Sequence, residues 1–418
     1  MLLFCYRIGF WLAFPILFLW MLAESAVEGR KVAQRLGLGL PKPTGRKRIW
    51  LHASSVGEVN VLDLLVPHFQ KKFPETEIVI STFTTAGRKR AKALFGSLQP
   101  KIEIFYLPLD LWGVTEKALD SLNPSLVVLT ETELWPQFLA ACAKRNIPVF
   151  LANGSLSEKS ARRYQKFRSV FNAAAPAFKK LLVQTERHKT LFENLGIPAA
   201  KIETVGQTKY DILWRTDNPQ PPPKLTPFFY WTAGSTRPGE EEKILAAQKL
   251  LSNKFPNLKL ILAPRHLERL PEIENLLAAA GLTFKRTGNK ELDCQTPVFL
   301  LDEMGILLPV YAGAQVAFVG GTLTPFGGHN LLEPLSVGAP VLFGPSTESV
   351  KETAEVLANT EIARQITTPE ELAAAVEYFL QKKLPRPDVR VMAQTTFAPW
   401  GGVAEKTVSK IRQALGRP

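Results

Sequence analysis

Short apolar runs alternate with amphipathic stretches along most of this 418-residue chain. Short runs rich in Val, Ile, Leu and Phe are typical of buried strands, whereas apolar positions three and four residues apart are typical of helices. The pattern predicts helices that include 59–69, 86–95 and 240–254. It predicts strands at 48–53, 78–83, 102–107, 126–131, 149–153, 181–184, 202–205, 228–233, 258–263, 298–301, 316–320 and 341–343. Strands and helices that alternate at this spacing indicate βαβ units with parallel sheets.

A proline-rich segment at 217–227 (DNPQPPPKLTP) interrupts the alternation. Such a segment is typical of a semi-rigid spacer. The chain is also about two to three times the length of an ordinary single domain. We therefore expect two α/β domains, at 31–216 and 228–418, joined by a linker at 217–227.

The first 30 residues follow another pattern, because 8–23 (IGFWLAFPILFLWMLA) carries no charge. A full membrane span needs about 20 apolar residues, so a tilted span and an anchor that lies in the membrane surface both fit. A signal peptide that ends near Ala23 is a third interpretation. Basic residues are concentrated at 30–48, and the positive-inside rule then places the bulk of the chain in the cytoplasm.

The composition, with 46% hydrophobic and 21% charged residues, is that of a globular protein and excludes a disordered chain. Three cysteines without a C-x-x-C spacing indicate neither a zinc site nor a disulfide framework, and they favour a reducing compartment.

The net charge of +13 predicts an anionic partner, and further basic residues at 88–90 favour a membrane surface with anionic lipids. Nucleic acid is an alternative partner, but the chain lacks a basic helix or an aromatic–basic repeat.

Polar residues follow five of the predicted strands, where open α/β sheets bind their ligands. These residues are SSVGE at 54–58, ETELWP at 131–136, GSTR at 234–237, PRH at 264–266 and TPFGGHN at 324–330. The loops before Glu240 and Leu331 are rich in glycine and lead into predicted helices. Backbone N–H groups at such positions suit a phosphate, so the second half has two candidate nucleotide-binding loops.

Structural roles fit several of these residues equally well. Glu58 and Glu333 each end a capping-box pattern, and Glu131 fits a solvated loop carboxylate. Arg265 is one turn from Glu268, with which it can form a surface ion pair. Trp135 fits simple packing beneath its loop.

No metal site is predicted. His52, His266 and His329 lack a metal-ligand spacing such as H-E-x-x-H, and ordinary loop or strand histidines are the simpler interpretation. The sequence also has no D-x-D motif, which argues against a nucleoside diphosphate donor held through a metal.

Five motifs in order resemble those of the 3-deoxy-D-manno-octulosonic acid (Kdo) transferases of lipid A biosynthesis. They are HASSVGE at 52–58, TETELWP at 130–136, AGSTRPGEE at 233–241, APRH at 263–266 and FVGGTLTPFGGHNLLEP at 318–334. The resemblance covers nearly the whole chain, including the N-terminal segment. It implies a GT-B glycosyltransferase fold: two Rossmann-like domains facing across a cleft, with an N-terminal membrane anchor helix at 1–30. The first domain would bind the acceptor and the second would bind CMP-Kdo.

Carried over residue by residue, the resemblance implies a general base at Glu58 and transition-state support from Glu131 and Lys209. It implies that CMP is held by Pro264, Arg265, Met304, Gly305, Ile306, Asn330, Leu331, Leu332 and Glu333. These residue types suit the chemistry. A positioned carboxylate can take a proton from a sugar hydroxyl, and a departing phosphate needs cationic or N–H donors.

The chain departs from the family pattern at three places. Ile306 stands where a glutamate is usual, Gly154-Ser155 replaces Ala-Arg, and Arg237 replaces a histidine. The first departure leaves only backbone contacts for Ile306.

The resemblance implies an inverting transferase that needs neither metal nor cofactor. It would move Kdo from CMP-Kdo to lipid IVA, the tetraacyl disaccharide bisphosphate precursor of lipid A, at the cytoplasmic face of the inner membrane. A GT-B-like nucleotide-sugar epimerase is the alternative, and it would need neither an acceptor nor an anchor. The number of Kdo residues transferred stays open.

Overall fold

A computed structural model describes residues 6–12, 14–15, 18–19, 31–166, 175–215, 219–289 and 291–416. The chain divides into two compact units. The first comprises Met1–Asp211 together with Gly402–Pro418, and the second comprises Ile212–Gly401.

The first unit is built on a seven-stranded parallel sheet in the order β3-β2-β1-β4-β5-β6-β7. Its strands are β1 (Lys47–Ala53), β2 (Thr76–Thr82), β3 (Glu103–Tyr106), β4 (Leu126–Thr130), β5 (Val149–Gly154), β6 (Phe178–Val183) and β7 (Ile202–Thr204). Its helices within the first 211 residues are α1 (Lys31–Arg35), α2 (Val56–Lys72), α3 (Thr85–Phe95), α4 (Val114–Leu122), α5 (Pro136–Lys144), α6 (Glu158–Gln165) and α7 (Glu186–Asn194).

Both faces of this sheet are buried, which explains the apolar runs in its central strands. In β1, Trp50 packs into one core layer while Ile49 and Leu51 pack into the layer on the opposite face. Successive strand side chains point to opposite faces, so one apolar run supplies both layers.

The second unit has another seven-stranded parallel sheet, in the order β10-β11-β9-β8-β12-β13-β14. Its strands are β8 (Phe229–Thr236), β9 (Leu258–Pro264), β10 (Phe284–Arg286), β11 (Val298–Leu300), β12 (Ala317–Val319), β13 (Val341–Phe343) and β14 (Ala363–Gln365). Its helices are α8 (Glu241–Lys254), α9 (Leu270–Ala279), α10 (Leu307–Gly313), α11 (Leu332–Ser336), α12 (Lys351–Leu357), α13 (Pro369–Lys382) and α14 (Arg386–Phe397).

The predicted strands and helices are confirmed, with boundaries that shift by a few residues. The prediction missed β10 and β14, which are the two edge strands of the second sheet. Their sequences, Phe-Lys-Arg and Ala-Arg-Gln, lack the apolar run used as the signal, because an edge strand is not buried on all sides.

The domain prediction was wrong at the C-terminus. The last helix, α15 (Val403–Ala414), belongs to the first unit, where Val403, Ala404, Val408 and Ile411 enter the core beneath α2. Asp211 caps its start by accepting hydrogen bonds from the backbone N–H groups of Val403 (3.2 Å) and Ala404 (2.5 Å). The apolar side chains of α15 are thus buried in the core of the first unit.

The proline-rich segment is not a free spacer over its described part, 219–227. Leu225 is fully buried in a cluster with Tyr230 and Phe299 of the second unit. Residues 217 and 218 lie outside the described residues.

The predicted anchor at 1–30 is described only in part, with helical backbone at 6–12, 14–15 and 18–19. Tyr6 donates a hydrogen bond to Asp110 (2.8 Å) and Arg7 donates one to Gln137 (2.8 Å), so the start of this segment contacts the first unit. Over the described residues, no helix combines the length and the apolar character that a membrane span requires.

Three arginines of the predicted basic surface are buried. Arg48 forms an ion pair with Glu77 at 2.8 Å, Arg35 stacks on the Phe83 ring, and Arg88 lies over an aromatic ring as well. Counting charges along the chain therefore overstated the basic surface at 30–48 and 88–90.

Candidate functional site

The order of the first sheet reverses between β1 and β4, which lie side by side at its centre. Ligands of doubly wound sheets bind beyond the strand ends at such a switch point. Glu58 follows β1 and Glu131 follows β4, so the topology brings these two predicted residues to one place.

Glu58 is a buried carboxylate at the start of α2, held by three donors. Oε2 accepts from the Ser54 backbone N–H (3.0 Å) and the Thr130 hydroxyl (2.9 Å), and Oε1 accepts from the Ser55 hydroxyl (2.9 Å). The Glu58 backbone N–H donates in turn to Ser55 Oγ at 3.4 Å. Ser55 thus caps α2 as the capping-box pattern predicts, but Glu58 accepts from the N–H of the residue before the cap, and these bonds fix the orientation of the carboxylate.

Glu131 lies next to this carboxylate in a left-handed backbone conformation, with φ of 55°. Burial raises the pKa of Glu131 to about 7, with further contributions from the negative charges of Glu58 and Glu133. A group with this pKa can exchange a proton near neutral pH. Glu131 is partly buried, which separates it from a fully solvated loop carboxylate.

Glu133 differs from Glu131 because it is surrounded by donors. The Trp135 indole donates to its carboxylate at 2.5 Å, and His52 Nε2 lies 3.6 Å from the same oxygen. Burial alone would raise the pKa of Glu133, but hydrogen bonds from His52, Ser54 and Trp135 lower it overall. Two carboxyl groups in one loop thus have pKa values shifted in opposite directions, which is typical of a catalytic site.

Lys209 belongs to the same edge of the sheet through its backbone. The preceding residue, Thr208, donates its N–H to the Asn153 side chain at 3.3 Å, and Asn153 ends β5 with φ of 53°. The Lys209 ammonium lies 5.0 Å from the centroid of the Tyr210 ring.

The second sheet repeats this arrangement, with β8 and β12 side by side at its centre. Glu240 joins the loops that follow these two strands. Its buried carboxylate accepts from the backbone N–H groups of Arg237 (2.8 Å), Gly321 (2.8 Å), Thr322 (3.0 Å) and Leu323 (2.8 Å). Burial raises the pKa of Glu240, and these hydrogen bonds oppose the shift. The sequence pattern indicates only a helix start at Glu240.

Arg237 is the centre of a cationic cluster on these loops. Its Nε donates to His329 Nε2 at 3.2 Å, its Nη1 lies 2.7 Å from His266 Nε2, and its guanidinium carbon is 5.0 Å from the centroid of the Phe326 ring. Burial, followed by the charges of Arg237, Arg265 and His266, lowers the pKa of His329 to about 4. His329 is therefore neutral at physiological pH.

Arg265 follows β9 and is exposed, whereas the preceding Pro264 is buried. The expected contact with Glu268 is made instead by His266, whose Nδ1 lies 3.4 Å from the Glu268 carboxylate. The surface-pair interpretation of Arg265 was therefore wrong, and the charge of Arg265 contributes to the lowered pKa of His329.

The remaining predicted CMP contacts lie at the starts of two short helices that pack together: residues 304–306 directly precede α10, and residues 330–333 lead into the first turn of α11. Met304 is 51% exposed, and Gly305 has φ of 91° with open space around it. Ile306 is partly buried against the neighbouring core, which leaves its backbone for contacts. Asn330 accepts from the Leu332 backbone N–H at 3.0 Å and donates to Glu333 at 3.5 Å. Leu331 and Leu332 are fully buried.

Comparison with known proteins decides the family. Residues 30–212 match the family model described as 3-Deoxy-D-manno-octulosonic-acid transferase (kdotransferase). A 3-deoxy-D-manno-octulosonic acid transferase of Haemophilus influenzae is 35% identical over 85% of this chain and 84% of its own length. The chain belongs to the Kdo transferase family. A transferase of the same name from Chlamydia muridarum is 34% identical over 84% of this chain and 83% of its own length.

Solved structures place this Kdo transferase in the GT-B fold class. A UDP-N-acetylglucosamine 2-epimerase superposes with a TM-score of 0.59 over 91% of this chain and 99% of its own, at 16% identity. At that identity the likeness concerns the fold alone. The epimerase alternative thus shares its architecture with the Kdo transferases, while the sequence relatives make this chain a glycosyltransferase.

In this Kdo transferase, sequence analysis missed residues that act through other residues. Thr130 orients Glu58, Glu240 holds two loops, and His266 and His329 surround Arg237. All four lie within the five motifs, but only the folded chain shows what each side chain contacts.

Proposed function

We propose that this enzyme transfers Kdo from CMP-Kdo to lipid IVA with inversion at the anomeric carbon. The observation that carries the proposal is the pair formed by Glu58 and Glu131 at the centre of the first sheet. Glu58 is oriented by three donors, and Glu131 has a pKa raised to about 7 by burial and by the two neighbouring carboxylates.

In the proposed reaction Glu58 accepts the proton of the acceptor hydroxyl while this oxygen attacks the anomeric carbon of Kdo. The bond from that carbon to the CMP phosphate breaks, and CMP leaves with the bonding electrons. Direct displacement of this kind inverts the anomeric configuration. Glu131 and Lys209 support the transition state.

The second unit is proposed to hold CMP through Arg265, through Met304, Gly305 and Ile306, and through the segment 330–333. The charge of Arg265 and the hydrogen-bonding groups of Asn330 and Glu333 support this assignment. Arginine suits the phosphate because its planar donors can pair with two oxygens.

Product analysis tests the reaction. Purified full-length enzyme is incubated with CMP-Kdo and the tetraacyl disaccharide bisphosphate, and the lipid product is examined by mass spectrometry. We expect one or more Kdo units on the lipid, CMP release only when the lipid is present, and the same rate after treatment with EDTA. Release of CMP without lipid, and no change in lipid mass, would contradict the proposal.

We also propose that the enzyme works at the cytoplasmic face of the inner membrane, held by its N-terminal segment. Trp11 and Leu12, 46% and 75% exposed, offer apolar surface, while Arg46, Lys47 and Lys89 are exposed cations. Attraction between such cations and anionic lipids is screened over about 8 Å at 0.15 M salt.

Vesicle co-sedimentation over a salt series tests this location. A chain that lacks residues 1–24 should bind acidic vesicles at low salt and dissociate at high salt, whereas the full chain should stay bound until detergent is added. Equal release of both chains by salt would contradict the role of the anchor.

A further inference from the structure

Two arginines on the loops of the second unit have no acidic partner. Within the described part of the chain, neither Arg237 nor Arg265 forms an ion pair with a carboxylate. Two other arginines of this unit are neutralised: Arg269 pairs with Glu241 at 2.7 Å, and Arg286 pairs with Glu274 at 2.6 Å. This loop region therefore has an uncompensated positive charge. A partly buried cation is costly without a counter-charge, so an anionic ligand would be stabilised here.

The contacts of Arg237 orient it without neutralising it. The imidazoles of His329 and His266 accept its hydrogen bonds through Nε2, and the Phe326 ring lies 5.0 Å from its guanidinium carbon. A guanidinium has five N–H donors, of which these two bonds use one on Nε and one on Nη1. The second Nη1 donor and both Nη2 donors remain for another acceptor.

The surrounding backbone holds this cluster rigidly. The Arg237 N–H is bound by the Glu240 carboxylate, which also binds the N–H groups of Gly321, Thr322 and Leu323. A Cβ at Gly321 would lie 3.1 Å from the His329 ring, so the ring packs directly against the loop backbone. Arg237 is therefore oriented before any ligand arrives, which lowers the cost of binding.

We propose that Arg237, together with Arg265, binds an oxyanion of the sugar-nucleotide donor, and that His266 and His329 are positioning residues that orient Arg237 by accepting its hydrogen bonds. This inference rests on the proposed function, since it takes CMP-Kdo as the donor. Such a donor has two oxyanions, the phosphate of the nucleotide and the carboxylate of the sugar acid. Both match the three remaining N–H groups of Arg237, which can form two parallel bonds.

The test uses the full-length enzyme with Arg237→Gln and, as the matched control, Arg286→Gln. CMP and cytidine binding are measured by calorimetry, and kcat and KM are measured with CMP-Kdo. If Arg237 binds the phosphate, Arg237→Gln weakens CMP binding roughly 10- to 100-fold and leaves cytidine binding unchanged. If it binds the carboxylate, CMP binding is kept while the KM for CMP-Kdo rises by a similar factor. The control should match wild type in all three measurements.

The positioning role is tested at His329. His329→Phe removes the acceptor and should reproduce the effect of Arg237→Gln, whereas His329→Gln keeps an acceptor oxygen and should restore affinity to within a few-fold of wild type. Thermal unfolding of each variant identifies any general loss of folding, and Arg237→Lys provides a charged variant that lacks the planar pair of donors.

Unchanged CMP affinity together with unchanged KM in a folded Arg237→Gln protein would overturn this inference while leaving the proposed function intact. Failure of the wild-type enzyme to transfer Kdo to the lipid would contradict the proposed function instead, whatever the CMP affinity.

Discussion

At the scale of single residues, Glu58 and Glu371 make the same local contacts in different surroundings. Each is the third residue of a helix whose cap is a serine or threonine, and each carboxylate accepts from the backbone N–H of the residue before that cap. Glu371 is exposed, whereas Glu58 is buried and also accepts from Thr130. The capping role is thus shared, whereas Glu58 also lies close enough to Glu131 to influence its pKa.

This comparison separates capping from catalysis. Glu58→Gln should lower kcat by roughly 10²- to 10⁴-fold, the usual contribution of a general base, and leave CMP affinity nearly unchanged. Glu371→Gln should keep full activity and lose roughly 0.5–2 kcal/mol of stability, the usual contribution of a cap. Rate assays and melting curves on both variants make the measurement. Equal activity in the two variants would show that Glu58 only caps its helix and is not the general base.

Glu131 should make stability depend on pH. Its pKa is about 7 in the folded chain and 4.5 in the reference state, so the native state binds the proton more tightly. The free energy of unfolding should therefore fall as pH rises from 4.5 to 7 and level off above, by about 3 kcal/mol at most. Glu131→Gln removes this dependence. Urea titrations of wild type and variant at several pH values in this range measure the free energy of unfolding. The same pH dependence in both proteins would contradict the prediction.

At the scale of elements, Glu240 connects the start of α8 to the loop after β12. Glu240→Gln places amide hydrogens against backbone N–H donors, and a buried unsatisfied donor costs about 1–3 kcal/mol. We expect faster hydrogen exchange at Gly321, Thr322 and Leu323, together with weaker CMP binding. The neighbouring Glu242 is exposed, so Glu242→Gln is the control and should change neither. Protection of these three amides at the wild-type level would show that the loop is held by other contacts.

At the scale of the whole molecule, the chain ends in the unit where it began. Ile411 is fully buried in the core beneath α2. Ile411→Ala should destabilise the first unit by about 2–5 kcal/mol, whereas the exposed Lys406→Ala should have almost no effect. Hydrogen exchange in β1 and in β8 measures the two units separately. A loss of protection confined to β8 would contradict the assignment of α15 to the first unit.

Much of the architecture could be predicted from local sequence. Most of the predicted strands contain an apolar run because both faces of each sheet are covered, and the alternation with helices indicated parallel order. The motif residues after the strands were predicted to gather at the carboxyl ends, which the order β1 beside β4 and β8 beside β12 explains. The edge strands β10 and β14 escaped because exposed strands need no apolar run.

The sequence by itself determined the fold class, the family and the positions of the motifs, since these depend on periodicity and on residue order. Only the tertiary structure decided that Glu131 has a raised pKa, that α15 belongs to the first unit and that Arg237 lies between two histidines. Burial, and the charges and donors around a side chain, arise from segments far apart in the chain. They therefore leave no local signal in the sequence.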